Sequence, residues 1–237
     1  MNAEEEEAAG GRAPRAPRIA LISAVPSAVA PAVAGLAEEF PAAEAWNLLD
    51  DRLLSDAPAE GPLPPALVDR MRRLIGCALE GGADGVLLTC SLYGRVTEAV
   101  GTRVPLLAPD TAAFARALSS GFGRVLVLAS FEGAMRDSVA RFSAAVAAAG
   151  SATEPVGVVA PDAFDAARRG DTAELAGALH RACLPYADGA DAVLLAQYSL
   201  APAAAPLSAA LGLPVVSGPQ AAAAALRTRL TTYGGPA

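Results

Sequence analysis

One segment of this chain occurs twice, and that repeat limits the possible folds more than any other feature. Gly82-Ala83-Asp84-Gly85-Val86-Leu87-Leu88-Thr89-Cys90 returns 107 residues later as Gly189-Ala190-Asp191-Ala192-Val193-Leu194-Leu195-Ala196-Gln197. Arg18-Ile19-Ala20-Leu21-Ile22 is echoed by Arg124-Val125-Leu126-Val127-Leu128, and Val104-Pro105-Leu106-Leu107 by Leu213-Pro214-Val215-Val216. The 237 residues therefore read as a doubled unit of roughly a hundred residues, each copy long enough to bury a core.

Within each copy, short runs of β-branched residues and Leu alternate with Ala-rich segments whose apolar residues recur at helical spacing, a β-α-β-α rhythm. The runs 18–23, 84–89, 124–129, 191–196 and 213–217 show no in–out alternation, as expected of parallel strands covered on both faces. Residues 64–80 illustrate the helices. Pro64 and Pro65 open the segment, Leu67, Met71, Leu74, Ile75 and Ala78 form an inward stripe, and Gly81-Gly82 closes it. Cys77 beside that stripe and Cys183 in the matching second-half helix read as small buried packing residues. The reading is α/β, with a tail over 1–17, lobe one over 18–115 completed by 213–237, and lobe two over 116–212.

In parallel α/β lobes the ligand sits beyond the carboxyl ends of the strands, where loops enter helix N-termini. That rule selects Ser23 to Ser27 after the first strand, Thr89, Cys90, Ser91, Leu92 and Tyr93 after the third, Ser130, Phe131 and Glu132 after the first strand of lobe two, and Gln197, Tyr198 and Ser199 at the end of its third strand. Asp50 and Asp51 fall near the same rim. Pseudo-twofold symmetry sets Cys90 opposite Gln197. Placed between a buried strand and a helix start, the Cys90 thiol is expected to shift towards thiolate and to serve as base or nucleophile. His180 lies inside a helical run leading to the opposite end of a strand and reads as structural.

Composition removes several chemistries. All 18 basic residues are Arg, so no lysine can form a Schiff base or a P-loop phosphate contact. A single His and three well-separated Cys argue against a zinc site, and no metal is expected. A net charge of −7 without a basic stripe argues against nucleic acid. No charge occurs between Asp191 and Arg227, but Pro202, Pro206, Pro214 and Pro219 interrupt the stretch, so strand–helix–strand is expected rather than a membrane span. The N-terminus lacks the order of a secretory signal and the Cys count is odd, which together suggest a cytoplasmic protein. The Ala-rich helix faces permit a homodimer.

The motifs Ile19-Ala20-Leu21-Ile22-Ser23-Ala24-Val25-Pro26-Ser27, Leu88-Thr89-Cys90-Ser91, Arg124 to Ser130 and Leu195-Ala196-Gln197-Tyr198-Ser199, in this order from residue 18 to about 230, resemble the aspartate/glutamate racemase superfamily. Hydantoin racemase, maleate isomerase and arylmalonate decarboxylase also belong to that superfamily. The resemblance implies two Rossmann-like (flavodoxin-like) lobes, each with a parallel four-stranded sheet, and a cleft between them. It also implies no cofactor and a small carboxylate substrate held by backbone amides and hydroxyls around Ser23, Ser27, Thr89, Ser91, Leu92, Tyr93, Ser130, Phe131, Gln197 and Ser199. Cys90 matches the first-half catalytic cysteine of the two-thiol racemases, whereas Gln197 stands at the second, leaving Tyr198, Tyr93 or one of Asp50 and Asp51 to stand in, with Tyr198 the candidate chosen. Racemisation or isomerisation by proton transfer at the α-carbon is the leading expectation. Single-thiol decarboxylation through an enolate is the alternative, and non-catalytic binding of a small acid is a third. Phe131 falls where some relatives place a substrate-contacting tyrosine and implies a less polar pocket.

Overall fold

The computed structural model describes residues 15–58 and 61–233. The first lobe runs β1 (Arg18–Ser23), a 3-10 turn (Pro26–Ala28), α1 (Val29–Glu39), β2 (Glu44–Leu49), α2 (Arg52–Ser55), α3 (Pro65–Glu80), β3 (Gly85–Leu88), a 3-10 helix (Ser91–Ala99), β4 (Leu106–Leu107) and α4 (Thr111–Ser119). The second runs β5 (Arg124–Ala129), α5 (Glu132–Ala148), β6 (Glu154–Val159), α6 (Asp162–Arg169), α7 (Thr172–Ala187), β7 (Ala192–Leu195), a 3-10 helix (Tyr198–Ala203), α8 (Ala204–Leu211), β8 (Val215–Val216) and α9 (Gly218–Tyr233). The strands form two parallel four-stranded sheets, ordered β2-β1-β3-β4 and β6-β5-β7-β8, so the α/β class and the doubling are both present.

The repeated Gly-Ala-Asp works as a lock at the amino end of each sheet. An Asp84 carboxylate oxygen accepts the Arg18 N–H at 2.7 Å, and an Asp191 oxygen accepts the N–H groups of Gly123 and Arg124, each at 2.8 Å. Each aspartate thereby fixes the start of its lobe's first strand against the third, and the register continues as Ile19 beside Gly85 and Val125 beside Ala192.

The missing alternation follows from burial on both faces. In sheet one, Ala20, Ile22, Val86 and Leu88 pack with Met71 and Ile75 of α3, while Ile19, Leu21 and Leu87 pack with α1 and α9. In sheet two, Leu126, Leu128, Val193 and Leu195 face α6, α7 and α8, while Val125, Val127 and Leu194 face Phe114 of α4 and Phe142 of α5. The lobes therefore exchange helices. α4 leaves sheet one to cover sheet two, and α9 leaves sheet two to cover sheet one.

That exchange corrects the expected boundaries. Val215-Val216 pairs with β7, so of the described residues from 213 onward only α9 packs onto lobe one, and α4, which the expected boundary at 115 divides, belongs to the core of lobe two. Within the expected 1–17 tail, residues 1–14 lie outside the described residues, and Arg15 pairs with Asp84 at 2.9 Å. Cys183 is buried as expected, but Cys77 is exposed because it falls on the outer edge of the α3 stripe. The uncharged stretch after Asp191 resolves into β7, a 3-10 helix, α8, β8 and the start of α9, and no helix of the described residues is long and apolar enough to cross a membrane.

Candidate active site

Parallel strands deliver their carboxyl ends to one side of each sheet, and the two such sides meet. A small chamber of about 30 Å³ lies between them, walled from lobe one by Val25, Ala28, Leu54, Thr89, Cys90, Ser91 and Leu92 and from lobe two by Phe131, Ala134, Gln197, Tyr198 and Ser199. Cys90 and Gln197 each hold extended backbone as the last residue before a 3-10 helix, at φ −111°, ψ 115° and φ −136°, ψ 140°. The repeat thus places a thiol and a carboxamide at equivalent positions on one cavity.

The thiol differs from expectation. The backbone N–H groups of Leu92 and Tyr93 are directed at the sulfur and favour thiolate, as does the charge of Arg141, but burial outweighs them and pushes the Cys90 pKa up to about 11. The expected shift towards thiolate is therefore overturned. A short 3-10 helix offers few aligned amides, and the chamber leaves little water to solvate the anion. At neutral pH Cys90 is a half-buried thiol carrying its proton.

Gln197 is held firmly. Its Oε1 accepts the Ser130 N–H at 2.7 Å and the Ser130 hydroxyl at 2.9 Å. A backbone N–H must meet an oxygen, so the carbonyl is committed to Ser130 and the amide NH2 is what Gln197 has left to offer. In lobe one Ser23, the last residue of β1, is fully buried and accepts the Thr89 hydroxyl at 2.9 Å.

The structure gathers Val25, Thr89, Cys90, Ser91, Leu92, Phe131, Gln197, Tyr198 and Ser199 on the chamber and leaves Ser23, Ser27, Tyr93 and Ser130 off it. Ser23 and Ser130 act from behind, through Thr89 and Gln197. Ser27 faces a separate surface groove with Pro26 and Arg168. Tyr93 is fully buried and donates its hydroxyl to the Leu53 carbonyl at 2.8 Å, so its side chain is a strut under α2. Tyr198 needs the larger correction as a proposed acid. Its ring packs into the lobe-one core against Gly218, its hydroxyl donates to the Pro109 carbonyl at 3.2 Å, and burial pushes its pKa well above the ordinary phenol. Asp50 is also spent elsewhere, paired side-on with Arg70.

Sequence reasoning missed a buried ion cluster beside the site. Arg141 of α5 pairs across the lobe junction with Asp110, and its Nε donates to Asp137 at 2.8 Å. Arg141 also reaches Gly94, where an added Cβ would lie 3.1 Å from its nitrogen, so it sits under the 3-10 helix that begins after Cys90. Arg141 and Asp110 act on the thiol in opposite senses, the cation lowering and the carboxylate raising its pKa. No spacing signal links residues from separate lobes. Leu54, Ala28 and Ala134 were missed because apolar walls carry no motif.

No group of three or more His, Cys, Asp or Glu among the described residues is placed to hold a metal ion. The sequence matches the Asp/Glu/hydantoin racemase family over residues 22–226. Among solved structures, an aspartate racemase from Picrophilus torridus superposes with TM-score 0.71 at 15% identity, covering 92% of this chain and 94% of the other. A glutamate racemase from Francisella tularensis in complex with D-glutamate gives 0.73 at 10% identity, covering 93% and 83%. A glycine-to-cysteine mutant of arylmalonate decarboxylase gives 0.61 at 22% identity, covering 92% and 95%. Among curated proteins no sequence matches.

Proposed function

This chain belongs to the Asp/Glu/hydantoin racemase family, and from that premise we propose that it is a cofactor-independent enzyme acting at the carbon next to the carboxylate of a small acid, with Cys90 as its one acid/base. The observation that carries the reading is the asymmetry of the chamber: a protonated thiol on one wall and, at the equivalent place on the other, a carboxamide locked by Ser130.

That asymmetry favours the route needing one proton transfer. When a second carboxylate at the reacting carbon leaves as carbon dioxide, the carbon–carbon bond breaks and its electron pair enters the remaining carboxyl group as an enediolate. No base is required. The enediolate is stabilised by the Gln197 NH2 and by the Ser91 and Ser199 sites on the wall. The Cys90 S–H then delivers its proton to carbon, and the thiolate is reprotonated from water. A pKa of about 11 suits this donor, because the proton is present throughout the neutral range.

Racemisation or isomerisation, the commoner chemistry among the structural neighbours, is the second reading. It is favoured by the amides of Leu92 and Tyr93 and by Arg141, which would receive a thiolate once formed. As a base, however, Cys90 would be ionised in about one molecule in 10^4 at pH 7, roughly 5 kcal/mol of added barrier, and no second acid has been kept opposite it. The substrate is a small carboxylate on either reading. Three unpaired cysteines suit a reducing, cytoplasmic setting.

Turnover in deuterated buffer separates the two. Decarboxylation places one deuterium in the product and none in recovered substrate, whereas racemisation washes deuterium into recovered substrate. Cys90→Ser is expected to lower either rate by 10^3-fold or more. A protein that binds acids without turnover would show no exchange in either form and unchanged affinity.

A further inference from the structure

Proton delivery leaves a charge behind. When the Cys90 S–H bond breaks, the proton and the electron pair of the enediolate form the new carbon–hydrogen bond, and the S–H electron pair stays on sulfur as thiolate until water reprotonates it. None of the described residues walling the chamber carries a charge at neutral pH, so this thiolate is desolvated with no counter-ion beside it. A cation must act from behind the wall.

The structure places one there. At Gly94, the fourth residue of the 3-10 helix that follows Cys90, an added Cβ would lie 3.1 Å from Nη1 of Arg141. The Arg141 side chain is 11% exposed, lies 5.8 Å from the centroid of the Phe114 ring, and is gripped by the buried Asp110 and by the more open Asp137. Stability is a weak reason to keep such a cluster, because desolvating buried ions offsets most of their attraction. This one is also incompletely used: Arg141 Nη2 is buried without a hydrogen-bond partner among the described residues. Other charges near Cys90 are engaged or face water. Glu132 of α5 accepts from Arg136 at 3.0 Å, Arg70 binds Asp50 and Asp56 at the two ends of α2, and Arg95 and Glu98, on the helix after Cys90, are exposed. Burial pushes the phenols of Tyr93 and Tyr198 up, so both are neutral. The charges that act on the thiol are Arg141, which favours thiolate, and Asp110, which opposes it and whose own carboxyl is pushed up by burial.

We propose that Arg141 is a positioning residue of the reaction: from its place under Gly94 it supplies the counter-charge for the Cys90 thiolate formed in each turnover, and Asp110 and Asp137 hold it there, a role that rests on Cys90 being the acid/base. The lobe junction is then part of the chemistry, since the cation for a lobe-one thiol comes from a lobe-two helix.

The ultraviolet absorbance of the thiolate tests this without a substrate. It is read on the full-length protein against the matching protein that also carries Cys90→Ser, so that the other thiols and the tyrosines cancel. At about pH 10, a thiol with a pKa of about 11 is ionised in roughly one molecule in ten. Arg141→Met is expected to lower that fraction about three- to tenfold and Asp110→Asn to raise it about threefold or more. The opposite signs are the signature, because both changes break the same ion pair, and a mere strut loosened from either end would admit water and raise the fraction in both. If Arg141→Met, which leaves buried carboxylates without their cation, lacks the native circular dichroism, it is made on the Asp110→Asn protein, where it should again lower the fraction. An unchanged fraction in Arg141→Met, or a rise in both variants, overturns the proposal. Turnover in deuterated buffer by the wild type and Cys90→Ser is read separately. If the signs are opposite while Cys90→Ser turns over like the wild type, the charge pairing stands, and the assignment of Cys90 falls together with the role of Arg141 in the reaction. If Cys90→Ser abolishes turnover and the two thiolate fractions do not part, Cys90 stands and Arg141 is structural.

Discussion

At the residue scale, the chemistry turns on which of two opposed influences governs one sulfur. Two amides and an arginine favour the Cys90 thiolate, and burial opposes them more strongly. The pH profile follows. If Cys90 acts as acid, the rate stays level from pH 7 to about 10 and falls as pH approaches 11; if it acts as base, the rate climbs roughly tenfold per pH unit over the same range. Initial rates at constant ionic strength distinguish the two slopes. Cys183 carries a related prediction for stability. It is fully buried, and burial pushes its pKa to about 11 from an ordinary 9.0. The folded state therefore keeps a proton that the unfolded state loses, so this contribution is whole below about pH 9 and lost between about pH 9 and 11, up to roughly 2–3 kcal/mol. Chemical denaturation across that range should show a steep decline, shallower in Cys183→Ala even though that variant starts about 1–2 kcal/mol lower. The positions of Cys90 and Gln197 were legible because a strand end followed by a helix start has a sequence signature. The thiol's protonation and the diversion of Tyr198 to Pro109 were not, since both depend on packing from the other lobe.

At the element scale, the apolar runs exposed five strands to within a residue or two, because runs buried on both faces cannot be confused with loops, whereas the sheet-edge strands β2 and β6, whose side chains are mostly half-exposed, were not singled out. Helix ownership was hidden. Nothing local tells α4 to cross to sheet two or α9 to sheet one, and the choice is made by close packing between distant segments. Gly35 of α1 is one such place: an added Cβ would sit 2.7 Å from backbone and side-chain carbons of Pro219 in α9. Gly35→Ala should therefore destabilise by about 1–2 kcal/mol, net of the helix propensity it gains, lowering the melting temperature by several degrees. Gly76 of α3 has nothing within 4 Å of the same position, so Gly76→Ala should stabilise by up to about 1 kcal/mol. Differential scanning calorimetry on the pair checks the contrast; a Gly35→Ala variant as stable as Gly76→Ala would show that α1 and α9 are not closely packed.

At the scale of the whole molecule, the helix exchange and the buried Arg141–Asp110 pair tie the lobes into one cooperative unit. Trp46, the sole tryptophan, lies on β2 and reports on lobe one, whereas far-ultraviolet circular dichroism reports on both lobes. The two signals should give coincident unfolding curves, and a separate tryptophan transition would mean that lobe one melts alone. The doubling also makes the chemistry directly testable, because a thiol moved from one wall to the other should reach the opposite face of the same planar enediolate. The decisive measurement is the handedness of the monoacid formed from a prochiral malonate bearing two different substituents at C2, by the wild type and by the double variant Cys90→Ser, Gln197→Cys. A single proton donor at Cys90 predicts one enantiomer from the wild type and its mirror image from the variant; the same enantiomer from both would show that the proton does not come from Cys90.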